Sequence, residues 1–112
     1  RRSNWLEITG DLKARPLEKP VPLISTWIHK ELLKPTVVQV MVDADGEVFT
    51  GSLIGRSGYD IADKMALKIA LQTVRFQRLT NAPPDVPFTT GDLIYHWHGN
   101  LNSVTNLSKR PR

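Results

Sequence analysis

The chain of 112 residues contains no cysteine and no apolar run approaching the 18 residues of a membrane-spanning helix. Without cysteine, neither a disulfide framework nor a thiolate metal site can form. There is no signal-peptide pattern, and no G-x-S-x-G elbow of the kind found in serine hydrolases. What remains is one domain of ordinary globular composition, with 40% hydrophobic and 23% charged residues.

The formal net charge of +4 comes from the two ends of the chain. Without the five terminal cations, 10 basic and 11 acidic residues remain across Ser3–Ser108. Nucleic-acid binding requires cations that cluster on the folded surface, so we expect no nucleic-acid partner. The five cations are Arg1, Arg2, Lys109, Arg110 and Arg112.

Two histidines near the end of the chain are the best candidates for metal binding. His96 and His98 lie on one face of a predicted strand, so their imidazoles could share an ion. Two ligands are too few for a structural zinc site, and Asp92 is the only nearby acid on that face. The acids that begin at Asp43 lack the glycine and glutamate positions of a calcium loop. We therefore expect neither a metal nor a cofactor.

No set of residues resembles a catalytic site. The serines and threonines have no histidine near them in a nucleophile pattern, and paired carboxylates would need burial to shift their pKa values. Asp60 and Asp63 stand at the start of a predicted helix, where capping and the helix dipole explain both. The chain is therefore predicted not to be an enzyme.

Hydrophobic periodicity predicts an α+β fold, in which a small antiparallel sheet of three to four strands is packed by one main helix and a short N-terminal helix. Val38, Val40 and Val42 share one strand face, and a second strand returns after a turn at Gly46. Both strands of this hairpin are apolar enough for the centre of a covered sheet. The elements are predicted over Trp5–Thr9 (strand), Trp27–Leu33 (short helix), Val37–Val42 and Val48–Ile54 (hairpin strands), Ile61–Val74 (main helix, with Asp60 as N-cap) and Thr89–Trp97 (strand).

The chain is divided into three segments by its composition. Residues 1–24 hold the first strand and a proline-rich extended stretch, and residues 25–99 hold the main domain. Residues 100–112 are polar without periodicity, and we expect them to form a flexible tail. On the last strand, the aromatic face with Leu93, Tyr95 and Trp97 is predicted to be buried.

A glycine loop offers an alternative interpretation. Leu53–Ile61 resembles the I-G-x-x-G-x-x-I loop of KH domains, which clamps a nucleic-acid backbone. In that family the loop joins two helices, whereas here it follows a predicted strand. A KH-like nucleic-acid-binding domain that uses Gly55-Arg56-Ser57-Gly58 is therefore kept as an alternative, and so is a self-associating structural domain of the cell envelope.

The order of motifs in the main domain resembles the C-terminal domain of TonB-type energy transducers. That family has a V-x-V strand, a D-G turn, a returning strand and a Ser-Gly-like turn. A helix with a small-residue face follows, then an aromatic residue near an Arg-Phe pair at the end of the helix, and then a third strand. The matching residues are Val38-Gln39-Val40, Asp45-Gly46, Val48–Ile54, Ser57-Gly58, Ile61–Val74, Arg75-Phe76 and Gly91–Gly99. The resemblance covers about two-thirds of the chain, and all of the matching motifs lie within residues 25–99.

Membership of this family would imply a protein-binding domain in the bacterial periplasm, anchored to the inner membrane by a segment that this sequence does not include. Because the chain begins with Arg1 rather than Met, we expect it to be part of a longer protein. Inner-membrane motor proteins would act through the upstream segment. The domain itself would bind the N-terminal peptide of an outer-membrane transporter.

By position, the resemblance places the peptide on the third strand. The peptide-binding residues would be Leu93, Ile94, Tyr95, His96 and Trp97, acting more through backbone than side chains. We expect this strand to lie at the sheet edge, where unpaired N–H and C=O groups accept an added strand. The same strand could instead pair with its own copy and form a homodimer.

Overall fold

The computed structural model describes residues 4–23, 33–80 and 88–98. It contains a four-stranded antiparallel sheet and one main helix, so the predicted α+β class is confirmed. Except for Leu33, the predicted short helix over Trp27–Leu33 lies outside the described residues, as does the tail over 100–112. The elements are β1 (Trp5–Gly10), a 3₁₀ turn (Asp11–Ala14), β2 (Thr36–Asp43), β3 (Val48–Gly55), α1 (Asp60–Gln72) and β4 (Phe88–His96).

The strands lie side by side in the order β1, β4, β2, β3, and each neighbouring pair is antiparallel. The N-terminal strand, predicted to lie outside the main domain, is therefore an integral part of its sheet. No helix in the described part of the chain is long and apolar enough to cross a bilayer.

The core lies on one face of the sheet, where alternate residues of β2 and β4 point toward α1. The buried face of α1 is built from alanines, whose small side chains let the helix approach the strands closely. Full burial of each valine or leucine contributes roughly 1.5–3 kcal/mol. The predicted inward faces of the two strands are confirmed, since Val38, Val40, Val42, Leu93, Tyr95 and Trp97 are buried. The buried residues of α1 include Ala62, Ala66 and Ala70.

The boundaries of α1 differ from those predicted. Asp60 is the first helical residue rather than the N-cap, which is Tyr59, and no side chain caps the helix there. The helix ends at Gln72: the N–H of Thr73 still makes the helical bond to the carbonyl of Ile69, but the N–H of Val74 donates to that same carbonyl instead of to the next one, both at 2.9 Å. The chain then leaves the helical path before the predicted end at Val74.

A buried arginine joins the ends of three strands. Arg15 follows the 3₁₀ turn, and its guanidinium donates to the carbonyl oxygens of Asp43 (2.7 Å), Ala44 (3.2 Å) and Gln77 (3.1 Å). A longer bond of 3.3 Å reaches the hydroxyl of Thr89. Burial lowers the pKa of Arg15, and the nearby charge of Asp43 opposes that shift. This clamp fixes the N-terminal segment against the hairpin turn.

Candidate protein-binding edge of the sheet

The strand predicted to receive a partner peptide lies inside the sheet. β4 pairs with β1 on one side and with β2 on the other, so Tyr95 has Leu6 as one neighbour and Thr36 as the other. An added strand needs a free row of N–H and C=O groups, and the chain itself already pairs with both sides of this one. The prediction that Leu93–Trp97 forms an open edge is therefore wrong.

The five residues predicted to bind a peptide are divided between the two faces of the sheet. Leu93 and Tyr95 are fully buried in the core, and Trp97 follows β4 with its ring stacked on Tyr95 at 5.7 Å. Ile94 and His96 are half-buried on the opposite face. Three of the five thus form the hydrophobic core of the protein, which explains their aromatic and aliphatic character without a ligand.

The hydroxyl of Tyr95 is the one buried side-chain polar atom without a hydrogen-bond partner among the described residues. Burial raises the pKa of Tyr95 well above its ordinary value, because the phenolate would lose its hydration. The ring is therefore kept neutral at physiological pH, and it acts in the core as a large apolar group.

The two histidines considered as metal ligands contact the N-terminal segment instead. The ring of His96 stacks on Trp5 at 4.1 Å, and its Nε2 lies 2.8 Å from Glu7 Oε1. The backbone N–H of His98 donates to Asn4 Oδ1 at 2.6 Å. Within the described residues, no group of three or more His, Cys, Asp or Glu side chains could hold a metal ion. These contacts attach β1 to β4.

The buried carboxylate of α1 has a structural role. Asp63 Oδ1 accepts hydrogen bonds from the hydroxyl of Thr36 (2.6 Å) and from the N–H of Ser57 (3.0 Å). Trp97 Nε1 donates to the same Thr36 hydroxyl at 2.8 Å. The network joins the start of β2, the start of α1 and the end of β4. Asp63 therefore holds these three elements together, a structural role beyond the capping and dipole stabilisation that were predicted for it.

The glycine loop connects a strand to a helix. Gly55 ends β3 and Asp60 begins α1, which confirms the predicted strand–turn–helix order. A KH domain has two helices around such a loop, so the arrangement on which that alternative depends is absent here. Ser57 is buried, and its hydroxyl accepts the N–H of Tyr59 at 3.1 Å.

The sheet has two outer strands, β1 and β3, and β3 is the better candidate for pairing with another chain. β1 has six residues and includes Glu7, whereas β3 has eight residues, VFTGSLIG, with no charge and no proline. Natural edge strands usually carry lysine, proline or inward-pointing charges that discourage pairing. Among the residues that the structure describes, no strand pairs with the outer side of β3.

Exposed apolar side chains mark both ends of this edge. Phe49 and Ile54 are each 54% exposed, and neither has a partner residue where β2 pairs with β3. Such a β-bulge turns a side chain out of the regular alternation. The Phe49 ring also packs edge-on to Phe88 at 6.0 Å. Between the bulges, Thr50–Leu53 pairs regularly and leaves the opposite side of its backbone open.

The helix forms an apolar wall beside the centre of this edge. A Cβ placed on Gly51 would lie 3.3 Å from Leu71 Cδ2 and 3.5 Å from Leu67 Cδ1. Leu71 is nevertheless 44% exposed, so the described residues leave a large part of its side chain uncovered. The edge therefore combines an open backbone with an apolar side wall.

A non-covalent contact between Glu47 and Arg75 limits the open edge of β3 at its N-terminal end. Glu47 forms an isolated antiparallel bridge with Arg75, and their side chains make an ion pair of 3.0 Å. Hydrogen bonding to Glu47 raises the pKa of Arg75. The stretch available to another chain thus runs from Val48 to the turn after Gly55. We name the outer side of β3, with Leu67 and Leu71, the β3 edge.

The β3 edge was not predicted from the sequence. The strand over Val48–Ile54 was predicted, but in the centre of the sheet, because its residues are apolar on one face and nearly so on the other. The glycine at position 51 was the signal that could have indicated otherwise, since glycine inside a strand often marks a close approach of another element. Here that element is α1.

Comparison of the chain with protein-family models, with curated proteins and with solved structures finds no match. The resemblance to TonB-type domains, which depends on the order of weak motifs, therefore stays a prediction. Function must be inferred from the fold and from the β3 edge.

Proposed function

We propose that this domain is a TonB-like protein-binding module that takes up an extended segment of another protein as a fifth strand along the β3 edge. The observation that carries the proposal is the open, uncharged backbone of β3 beside exposed apolar side chains. In the proposed setting, the domain works in the bacterial periplasm, and an upstream segment anchors it to the inner membrane and reaches the motor proteins. The partner segment would be the N-terminal peptide of an outer-membrane transporter.

The proposed binding strand is β3 rather than β4, while the way of binding, addition of an extended segment to a sheet edge, is unchanged. Added strands gain affinity from backbone hydrogen bonds and gain specificity from alternate side chains. β4 offers neither, because both of its sides are paired. The β3 edge offers both, with free backbone groups between its bulges and side-chain contacts at Phe49, Ile54 and Leu71.

Weak binding is expected from the energetics. Each backbone hydrogen bond contributes about 1 kcal/mol net. The peptide loses roughly 1–2 kcal/mol of backbone entropy for each residue that becomes ordered. Apolar burial against the three partly exposed side chains must supply the surplus. We expect dissociation constants between about 1 μM and 1 mM.

The test is a titration of the ¹⁵N-labelled domain with extended peptides from transporter N-termini. We expect amide shifts along Val48–Gly55 and slower hydrogen exchange of the same amides, because an added strand gives the free groups partners. Ile54→Lys should weaken binding at least tenfold, since lysine on an edge strand opposes pairing.

Ile61→Lys is the matched control for Ile54→Lys. Both isoleucines are just over half exposed, but Ile61 belongs to α1 and not to the edge strand. Equal loss of affinity in the two variants would contradict edge pairing, as would shifts confined to β1 or β4. Sedimentation of the free domain checks whether a second copy occupies the edge. A dimer that Ile54→Lys dissociates and peptide does not displace would replace the proposed function with self-association.

A further inference from the structure

Resting on the proposed function, we propose that the added strand places one large apolar residue, best an aromatic one, beside Gly51 on the side that faces α1. There it would pack against Leu71 and Leu67. The β3 edge would then select partners by a single side chain at a defined position in an otherwise uncharged, extended segment.

The first support is the gap in the side-chain row of β3. On the face toward α1, Val48 and Leu53 are half-buried, and between them Gly51 has no side chain, so that Leu67 and Leu71 of α1 lie directly over it. An aromatic residue on a neighbouring strand commonly compensates for such a glycine by covering its exposed backbone. β2 supplies Val40 on the inner side of Gly51, and no described strand supplies a residue on the outer side, where an added strand would place one.

The second support is the exposed side of the helix wall. Leu71 contacts the position above Gly51 yet keeps 44% of its surface exposed. A residue beside Gly51 on an added strand would have its Cβ about 4.5–5.5 Å from the glycine, directly next to this surface. An aromatic ring there covers more of Leu71 than a methyl group can.

The third support is the charge of the edge. β3 carries no ionisable side chain, so a charged residue in the partner strand would lose hydration without gaining a counter-ion. The chemistry of the edge therefore favours an uncharged, apolar partner.

The other outer strand lacks this arrangement. The middle residues of β1, Leu6, Glu7 and Ile8, all carry long side chains and leave no gap like that at Gly51. The glycines at the end of β1 and opposite it in β4 approach each other closely and leave no room, since a Cβ on Gly10 would lie 3.0 Å from the Cα of Gly91. A single aromatic anchor thus distinguishes the β3 edge from the β1 edge.

The experiment uses capped peptides of about seven alternating threonine and valine residues, a length typical of a strand. The central residue is Phe in one peptide and Ala in the other. Binding is followed by amide shifts of β3 and by methyl shifts of Leu67 and Leu71. We expect the Phe peptide to bind at least about tenfold more tightly and to shift both sets of leucine methyls.

Leu71→Ala is the decisive variant. Because Leu71 is partly exposed, the variant should stay folded, which circular dichroism checks, and the preference for Phe should fall to less than about threefold. Ile61→Ala removes a residue that is 53% exposed, against 44% for Leu71, at the other end of α1 and should leave the preference intact. A preference for Phe that survives Leu71→Ala would overturn the inference.

The outcomes separate the inference from the proposed function. If both peptides shift the β3 amides with equal affinity, strand addition stands and the aromatic anchor is wrong. If neither peptide shifts them at millimolar concentration, both proposals are wrong. If a second copy of the chain competes for the β3 edge, the apparent affinity for the peptide will fall as the protein concentration rises. That result would also overturn the assignment of an aromatic peptide to this edge.

Discussion

Replacement of Tyr95 by phenylalanine should make the protein more stable. The Tyr95 ring is fully buried, and its hydroxyl has no hydrogen-bond partner among the described residues. A buried polar group that lacks a partner costs about 1–3 kcal/mol in lost hydration. Phenylalanine fills nearly the same volume without that cost. We expect Tyr95→Phe to raise the free energy of unfolding by about 1 kcal/mol at pH 7.

The gain should increase at alkaline pH. Burial raises the pKa of Tyr95 in the folded state, while an unfolded tyrosine ionises near pH 10. Above that pH the unfolded chain loses the proton first, so the folded wild-type protein loses about 1.4 kcal/mol per pH unit relative to the variant. At pH 11 the difference in unfolding free energy should reach about 2.4 kcal/mol.

Urea unfolding of the wild-type protein and the variant at pH 7 and pH 11 measures both effects, because charges common to the two proteins cancel in the difference. Tyr59→Phe, at a half-buried position outside the sheet, is the control for removal of a phenol elsewhere. A Tyr95→Phe variant that is clearly less stable at pH 7 would refute the reasoning, since it would mean that the hydroxyl makes a favourable contact. A pH-independent difference would refute the assigned pKa shift.

Two further predictions concern how the N-terminal segment is held. Arg15→Met should lower the free energy of unfolding by about 3 kcal/mol, because it removes the guanidinium that donates to three part-buried backbone carbonyl oxygens. In urea unfolding, Arg15→Lys should be less stable than the wild-type protein and more stable than Arg15→Met. Gly91→Ala should cost about 3 kcal/mol and shift the amides of β1, because the new methyl group would overlap the Thr9 carbonyl and lie 2.8 Å from Leu12 Cβ. Gly58→Ala, which has a positive φ of 98° but open space around it, should cost only about 1 kcal/mol; equal losses at the two glycines would refute the steric explanation.

The local elements were predictable because their signals lie within a few neighbouring residues. Alternation of valines predicted β2, and a glycine with φ of 99° occupies the hairpin turn as expected. The N-cap was missed because Asp60 and Asp63 both suit a helix start, and the choice depended on the hydrogen bond from Ser57 to Asp63.

The candidate site was not predictable in the same way. Apolar alternation indicates that a strand has a buried face, but it does not indicate which strands stand at the edges. The pairing of β1 with β4 joins the two ends of the domain, and the stacking of Trp5 on His96 leaves no periodic pattern in the sequence. The clamp at Arg15 was missed for the same reason, since its acceptors are backbone carbonyls.

The amino-acid sequence by itself determined that this is one small α+β domain with an apolar core, because period-two and helical patterns depend only on adjacent residues. Only the tertiary structure decided the strand order, which pairs both sides of β4 and leaves the outer side of β3 open. Backbone hydrogen bonds between strands are the same for every residue type, so the side-chain pattern alone cannot specify which strands become neighbours.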